Sequence, residues 1–274
     1  MNAILTLAGK EFRDGLRNRW VLAIASILAV LAVGIAWFGA AASGGLGVAS
    51  LATTLISLST LAVFLIPLIA LLLAYDAVVG EHEAGTLLLL LTYPLSRTQL
   101  LLGKFLGHAL ILAAAIGLGF GVAGATIAPG AEGMPLGELA GGLGLLIVSS
   151  ILLGWAFLAL AYLISAGATE KARAAGLALG TWFLFVLVFD LALLALLVGV
   201  EGGGDWLPWL MLLNPTDGFR LLNLAGVDAA REFTGLGAMA RGDMFHPSAL
   251  VTTLLAWILV PLGLAVLRFR HRAT

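Results

Sequence analysis

The chain has 274 residues, 61% of them hydrophobic and only 11% charged, with a net charge of −1 and a mean hydropathy of +1.11. Globular domains carry roughly a quarter of their residues as charges. So few cannot cover a soluble surface of this size, which points to a polytopic all-α membrane protein. The near-zero net charge leaves no basic field for nucleic acid, and the lack of cysteine excludes disulfides, thiolate zinc sites and a thiol nucleophile.

The chain opens with MNAILTLAGKEFRDGLRNRW. Ile4, Leu5, Ala8, Phe12, Leu16 and Trp20 recur at three- and four-residue steps, with Lys10, Arg13, Arg17 and Arg19 between them. That spacing predicts an amphipathic helix over 1–19 lying in the membrane interface, whose basic residues also serve as a topology signal. No cleavable signal peptide is expected, because the first hydrophobic segment is long and lacks a cleavage site.

A helix needs about 20 apolar residues to cross a hydrocarbon core of about 30 Å. Six segments qualify: Trp20–Ala42, Thr54–Tyr75, Phe105–Ala128, Leu139–Ser165, Ala174–Val200 and Ser248–Leu267. All belong to one transmembrane domain spanning 1–274. Eleven of the fourteen Lys and Arg residues fall on one side of that arrangement. By the positive-inside rule both termini are cytoplasmic, and 201–247 is an outer loop.

Gly103/Gly107, Gly117/Gly121 and Gly176/Gly180 each form a GxxxG pair suited to close helix packing, within the chain or between copies. Asp190 is the one ionisable residue deep in an apolar span, TWFLFVLVFDLALLALLVG. Such a residue is functional, or it is a protonated carboxyl bonded to a neighbouring helix. Without an ionisable companion in the other spans it makes a poor ion relay. In the outer loop, Trp206–Leu213 is too short to span and is broken by Asn214-Pro215, which predicts re-entrant or interfacial pieces before the last span. Trp206, Trp209, Pro215, Phe219 and Arg220 are the candidate docking residues there, the aromatics being typical interface anchors. Met134, Met211, Met239, Met244 and His246 lie toward the outer side, but their spacing does not converge on a metal site, and none is assigned.

Between the second and third spans, GEHEAGTLLLLLTYPLSRTQLLLGKFLG places acids, a turn and a Leu run on the cytoplasmic side. It predicts a short helix along the inner face, ended by Tyr93-Pro94, that wants a partner. No GxxxxGK[ST], HExxH or GxSxG occurs, so the chain is not expected to be an enzyme or to bind ATP itself.

The same stretch resembles the E-x-x-x-G-T-L-x-x-L-L-x-x-P-x-S-R-x-x-x-L-x-G-K pattern of ABC-2 type permeases. Six spans, an N-terminal amphipathic helix and an outer re-entrant hairpin agree with that family along the whole chain. AGKEFRDGLRNRW, ALLLAYDAVVGEHEAGTLLLLLTYPLSR and NPTDGFRLLNL carry a narrower resemblance, to the permeases of nitrous oxide reductase maturation transporters. The resemblance implies a bacterial inner-membrane homodimer with two copies of a separate ATPase, which binds the ATP and Mg, and no cofactor in this chain. It implies coupling helices at Glu83–Arg97 and Thr169–Arg173, and hence coupling roles for Glu81, Glu83, Thr86, Leu87, Tyr93, Pro94, Arg97, Glu170, Lys171 and Arg173. It also implies a periplasmic β-helical subunit on the outer loops and a role in copper-site assembly. A sulfur species, copper, or force transmission without cargo all remain open, as do an ion-coupled carrier acting alone and a structural anchor for a periplasmic partner.

Overall fold

The computed structural model describes residues 3–17, 19–38, 51–130, 136–199, 207–225 and 246–271. All regular structure among them is helical, and six helical segments are long and apolar enough to cross a membrane. In chain order the helices are α1 (Ala3–Arg17), α2 (Trp20–Phe38), α3 (Leu51–Ala74), α4 (Val79–Glu83), α5 (Thr86–Leu91), α6 (Arg97–Ile127) and α7 (Leu136–Gly167). They continue with α8 (Lys171–Phe183), a π-helical turn (Leu184–Val188), α9 (Phe189–Gly199), α10 (Leu207–Met211), α11 (Pro215–Ala225) and α12 (Pro247–Arg270).

Helices α6 and α7 form the centre. Helices α1 and α2 pack on α6, while α3, α11 and α12 pack on α7. Tyr162, Phe120, Phe157, Phe219 and Phe269 are the largest fully buried side chains. The fifth span is peripheral: 11% of its most apolar window is buried, against 50% for the second, third and fourth spans. Its Leu177, Leu179, Phe183, Leu184, Leu191 and Leu194 face outward.

Helix α6 has 31 residues and α7 has 32. At 1.5 Å per residue each is about 45 Å or more in length, well beyond a hydrocarbon core of about 30 Å. The apolar run places the start of the third span at Phe105, whereas the helix begins eight residues earlier. The physical reason is a capping box. The Ser96 hydroxyl accepts the Gln99 N–H at 3.2 Å, and the Gln99 side chain accepts the Ser96 N–H at 2.9 Å. The extra turns carry Arg97 and Lys104 out of the apolar stretch.

Helix α1 uses those turns. An added Cβ at Gly103 would meet Leu7, one at Gly107 would meet Glu11 and the Ala8 carbonyl, and one at Gly15 would meet Ile111. The matched steps 7, 11, 15 and 103, 107, 111 mean that α1 runs alongside α6 instead of crossing it. Helix α1 is therefore packed along the start of α6. The Gly103/Gly107 pair packs within the chain, while Gly117, Gly121, Gly176 and Gly180 face open space.

Candidate functional site

The candidates of the Gly80–Gly107 stretch and of the loop before α8 converge on one face. The turn Tyr75–Val78 leaves α3 and is held to the end of α7 by Ser165, whose hydroxyl accepts the Val78 and Val79 N–H groups at 2.9 and 3.1 Å. Helix α4 follows, then Gly85 at φ 70°, a left-handed position that glycine adopts without strain, and then α5. Helix α5 is six leucine-rich residues lying against the body. Leu87 is buried in the main core, whereas Leu88, Leu89 and Tyr93 are 59%, 65% and 64% exposed. Pro94 is exposed after the helix ends.

Four braces hold this face. Glu81 pairs with the buried Lys104 at 3.1 Å, and Lys104 also meets Glu11 of α1 at 3.3 Å. One ammonium thus ties α1, α4 and α6 together. The Thr86 hydroxyl donates to the Glu81 carboxylate, fixing the start of α5 to α4. Glu83 Oε1 accepts the Lys171 backbone N–H at 2.7 Å, so α4 caps the start of α8, and Lys171 Nζ reaches Asp76 at 3.6 Å. Arg97 Nη1 donates to the carbonyls of Phe269 and Arg270 at 3.3 Å, while Arg270 Nε donates to the Thr98 hydroxyl at 2.8 Å. These bonds satisfy carbonyls that a helix C-terminus otherwise leaves without partners.

The expectation that the acids of this stretch lack a partner inside the chain is corrected accordingly. Glu81, Glu83 and Arg97 brace the surface. Leu88, Leu89, Tyr93, Glu170 and Arg173 present it. A cavity of about 400 Å³ on the same face is lined by His82, Gly167, Ala168, Thr169, Arg268 and His271. An exposed apolar ridge beside a concavity, on a rigid base, suits docking of a second protein. Lys104 makes the ion pairs to both Glu11 and Glu81, joining α1 and α4 to α6. Its isolation in a run of leucines and glycines was the available signal.

On the opposite side, Trp209 of α10 is 61% exposed, and Trp206 lies outside the described residues. Pro215 and Phe219 are buried, Phe219 completely, because α11 inserts between α3, α7 and α12. They are core residues, and their expected role as exposed docking anchors is corrected. Asn214 explains the insertion. Its Oδ1 accepts the Thr216 N–H at 3.0 Å and the Thr216 hydroxyl at 2.8 Å, capping α11, while Pro215 occupies the first turn. Its Nδ2 donates to the Phe185 carbonyl at 3.0 Å, within the π-helical turn. A π turn displaces carbonyls from the regular helical ladder, and here a side chain takes one up.

Asp190, just after that turn, pairs with Arg220 of α11 at 2.7 Å. Arg220 also meets Asp217 at 3.2 Å. Asp190 therefore has the companions that its span lacks, supplied by the inserted helix. Met211 is buried in a small cluster with Leu221, Leu222, Leu250 and Leu254. Met134, Met239 and Met244 lie outside the described residues, and no group of three metal-ligating side chains is found among those described.

An all-helical body with six spans, a braced docking ridge on one face and an inserted hairpin at the other is the build of a transporter's membrane subunit. A family described as "ABC-2 family transporter protein" matches residues 5–273, and the chain belongs to it. Two curated relatives extend this. The chain is 59% identical over 278 residues to "Probable ABC transporter permease protein NosY" of Stutzerimonas stutzeri, covering 100% of both chains. It is 56% identical over 274 residues to a protein of the same name from Pseudomonas aeruginosa, covering 99% of both. The chain is thus a multi-pass permease subunit of an ABC transporter, similar to NosY, and its family implies association with an ATPase subunit.

Proposed function

We propose that this permease couples ATP hydrolysis by two copies of a cytoplasmic ATPase to a β-helical subunit outside the membrane, in the service of nitrous oxide reductase maturation. The observation that carries the coupling role is the braced ridge of Leu88, Leu89 and Tyr93 on α5 and the loop after it. The maturation role rests on the resemblance to NosY permeases. ATP and Mg belong to the ATPase, since this chain has no phosphate-binding loop. The chain acts as a homodimer in the bacterial inner membrane, with both termini cytoplasmic.

The working parts follow from the geometry. Motion of an ATPase docked on α5 and at Glu170 and Arg173 pulls on α4 and α8, which Glu83 links directly. The long helices α6 and α7 carry the displacement outward as rigid rods to α11, the element packed against the outer ends of the spans. Trp209 is the aromatic anchor for the outer subunit among the described residues.

Co-purification from membranes tests this reading. Leu88→Asp with Leu89→Asp should abolish capture of the ATPase while the permease stays inserted, and Tyr93→Ala should weaken it. Undiminished ATPase capture by the double variant overturns the docking assignment. Normal maturation of nitrous oxide reductase in cells lacking the chain overturns the maturation role.

A further inference from the structure

The joint between α11 and the fifth span holds two carboxylates and one cation. Asp190 and Asp217 both contact the same Arg220 nitrogen, so two negative charges face one positive charge. The Asp217 side chain is only 4% exposed. Its Oδ2 and the Oδ1 of Asp190 are both buried without a hydrogen-bond partner among the described residues. The nearby Asn214 amide donates to the Phe185 carbonyl and also lies within reach of the Asp217 carboxyl. A buried carboxylate oxygen facing neither donor nor solvent is strongly unfavourable, and such a group takes up a proton instead.

Among the described residues, no other charge balances the cluster. Helix α11 packs against α3, α7, α12 and the π turn. Helix α3, the π turn and α10 carry no ionisable side chain. Helix α7 carries Glu138 at its outer start and Tyr162 near its other end. Helix α12 has His246 at its cap and Arg268 and Arg270 at its far end. None of these forms an ion pair with the cluster, and among the described residues Arg220 and Asp190 are the charges acting on Asp217. Burial pushes the Asp217 carboxyl up to about 7; Asp190 adds to the rise, and Arg220 and Asn214 oppose it.

We propose that Asp190, Arg220 and Asp217 form a proton-binding site, in which one proton held on Asp217 neutralises the surplus charge where α11 is seated on the fifth span. The proton sits on Asp217 Oδ2, converting the carboxylate to a carboxylic acid that can donate toward Asp190. A cavity of about 100 Å³ between α3 and α11 reaches Arg220; its lining is mostly apolar, with Leu55, Ile56 and Leu224, and Ser59, Thr60 and Asn223 add polar groups along it. The site goes beyond the transport reading and does not depend on it.

Infrared titration of the purified full-length chain in nanodiscs tests the proposal through the protonated-carboxyl stretch. The wild type should show a band that is present at pH 6 and lost by pH 8. Asp217→Asn should lack it, because Asp190 and Arg220 then form a neutral pair. Asp190→Asn should shift its titration at least one pH unit lower. Both variants keep a balanced charge and are expected to fold, and Glu138→Gln, at an exposed site, should leave the band unchanged. As an independent readout, the wild-type melting midpoint should fall between pH 6 and 8 relative to that of Asp217→Asn. A folded-state affinity for the proton above the unfolded one is stabilisation that disappears as pH rises. No band in the wild type, the full band in Asp217→Asn, or an unmoved titration in Asp190→Asn overturns it.

Discussion

Replacing Lys104 by Met tests the bracing of the face that carries α4 and α5. The Lys104 side chain is 9% exposed, and its partners Glu11 and Glu81 are 13% and 27% exposed. Methionine matches the stem but removes the ammonium, leaving the Glu81 carboxylate without its cation and Glu11 with only the exposed Lys10, 3.6 Å away. Removing one partner of a buried ion pair costs about 3–5 kcal/mol, and the lower end applies here because Glu81 keeps Thr86 and some water. At about 2–4 °C per kcal/mol for a chain of this size, the thermal midpoint in detergent should drop by about 6–12 °C. Adding Glu11→Gln and Glu81→Gln to Lys104→Met removes the uncompensated charges and should recover most of the loss. If Lys104→Met melts within about 2 °C of the wild type, or the triple variant melts no higher than the single one, the bracing argument is wrong.

Gly107→Val should lift α1 from α6, because its Cβ would lie 2.4 Å from Glu11 Cβ and 3.1 Å from the Ala8 carbonyl. Faster hydrogen exchange over residues 3–17 is the readout; Gly117→Val, in open space, should not produce it, and equal protection in both variants would count against the packing. Phe219→Ala should destabilise the chain by about 3–5 kcal/mol, whereas Trp209→Ala should leave the thermal midpoint in place and weaken capture of the outer subunit. A Phe219→Ala variant that melts normally but fails to capture the subunit would restore Phe219 as a docking residue. Single cysteines at Ser43, Gly133 and Gly235 should react with an impermeant reagent in intact cells, and one at Thr169 should not; labelling at Thr169 inverts the orientation.

The sequence alone determined the fold class, the six spans and the helix break at Asn214-Pro215. Hydrophobic run length, charge asymmetry and proline are one-dimensional properties that act through local backbone chemistry. The signature around Gly85 was legible for the same reason: a left-handed turn needs glycine there wherever the segment is placed. The tertiary structure alone decided which residues face a partner. Glu83 and Arg97 read as exposed charges, yet Glu83 caps α8 across 88 positions of sequence and Arg97 caps α12 across 172. Phe219 read as an anchor on an outer loop, yet it fills the core because α11 inserts between three spans. Asp190 read as solitary because Arg220 and Asp217 lie some thirty positions away and approach it only through that insertion. Burial and pairing depend on which helices become neighbours, and in a chain of uniformly apolar spans that choice rests on small residues, caps and single ion pairs that hydropathy does not register.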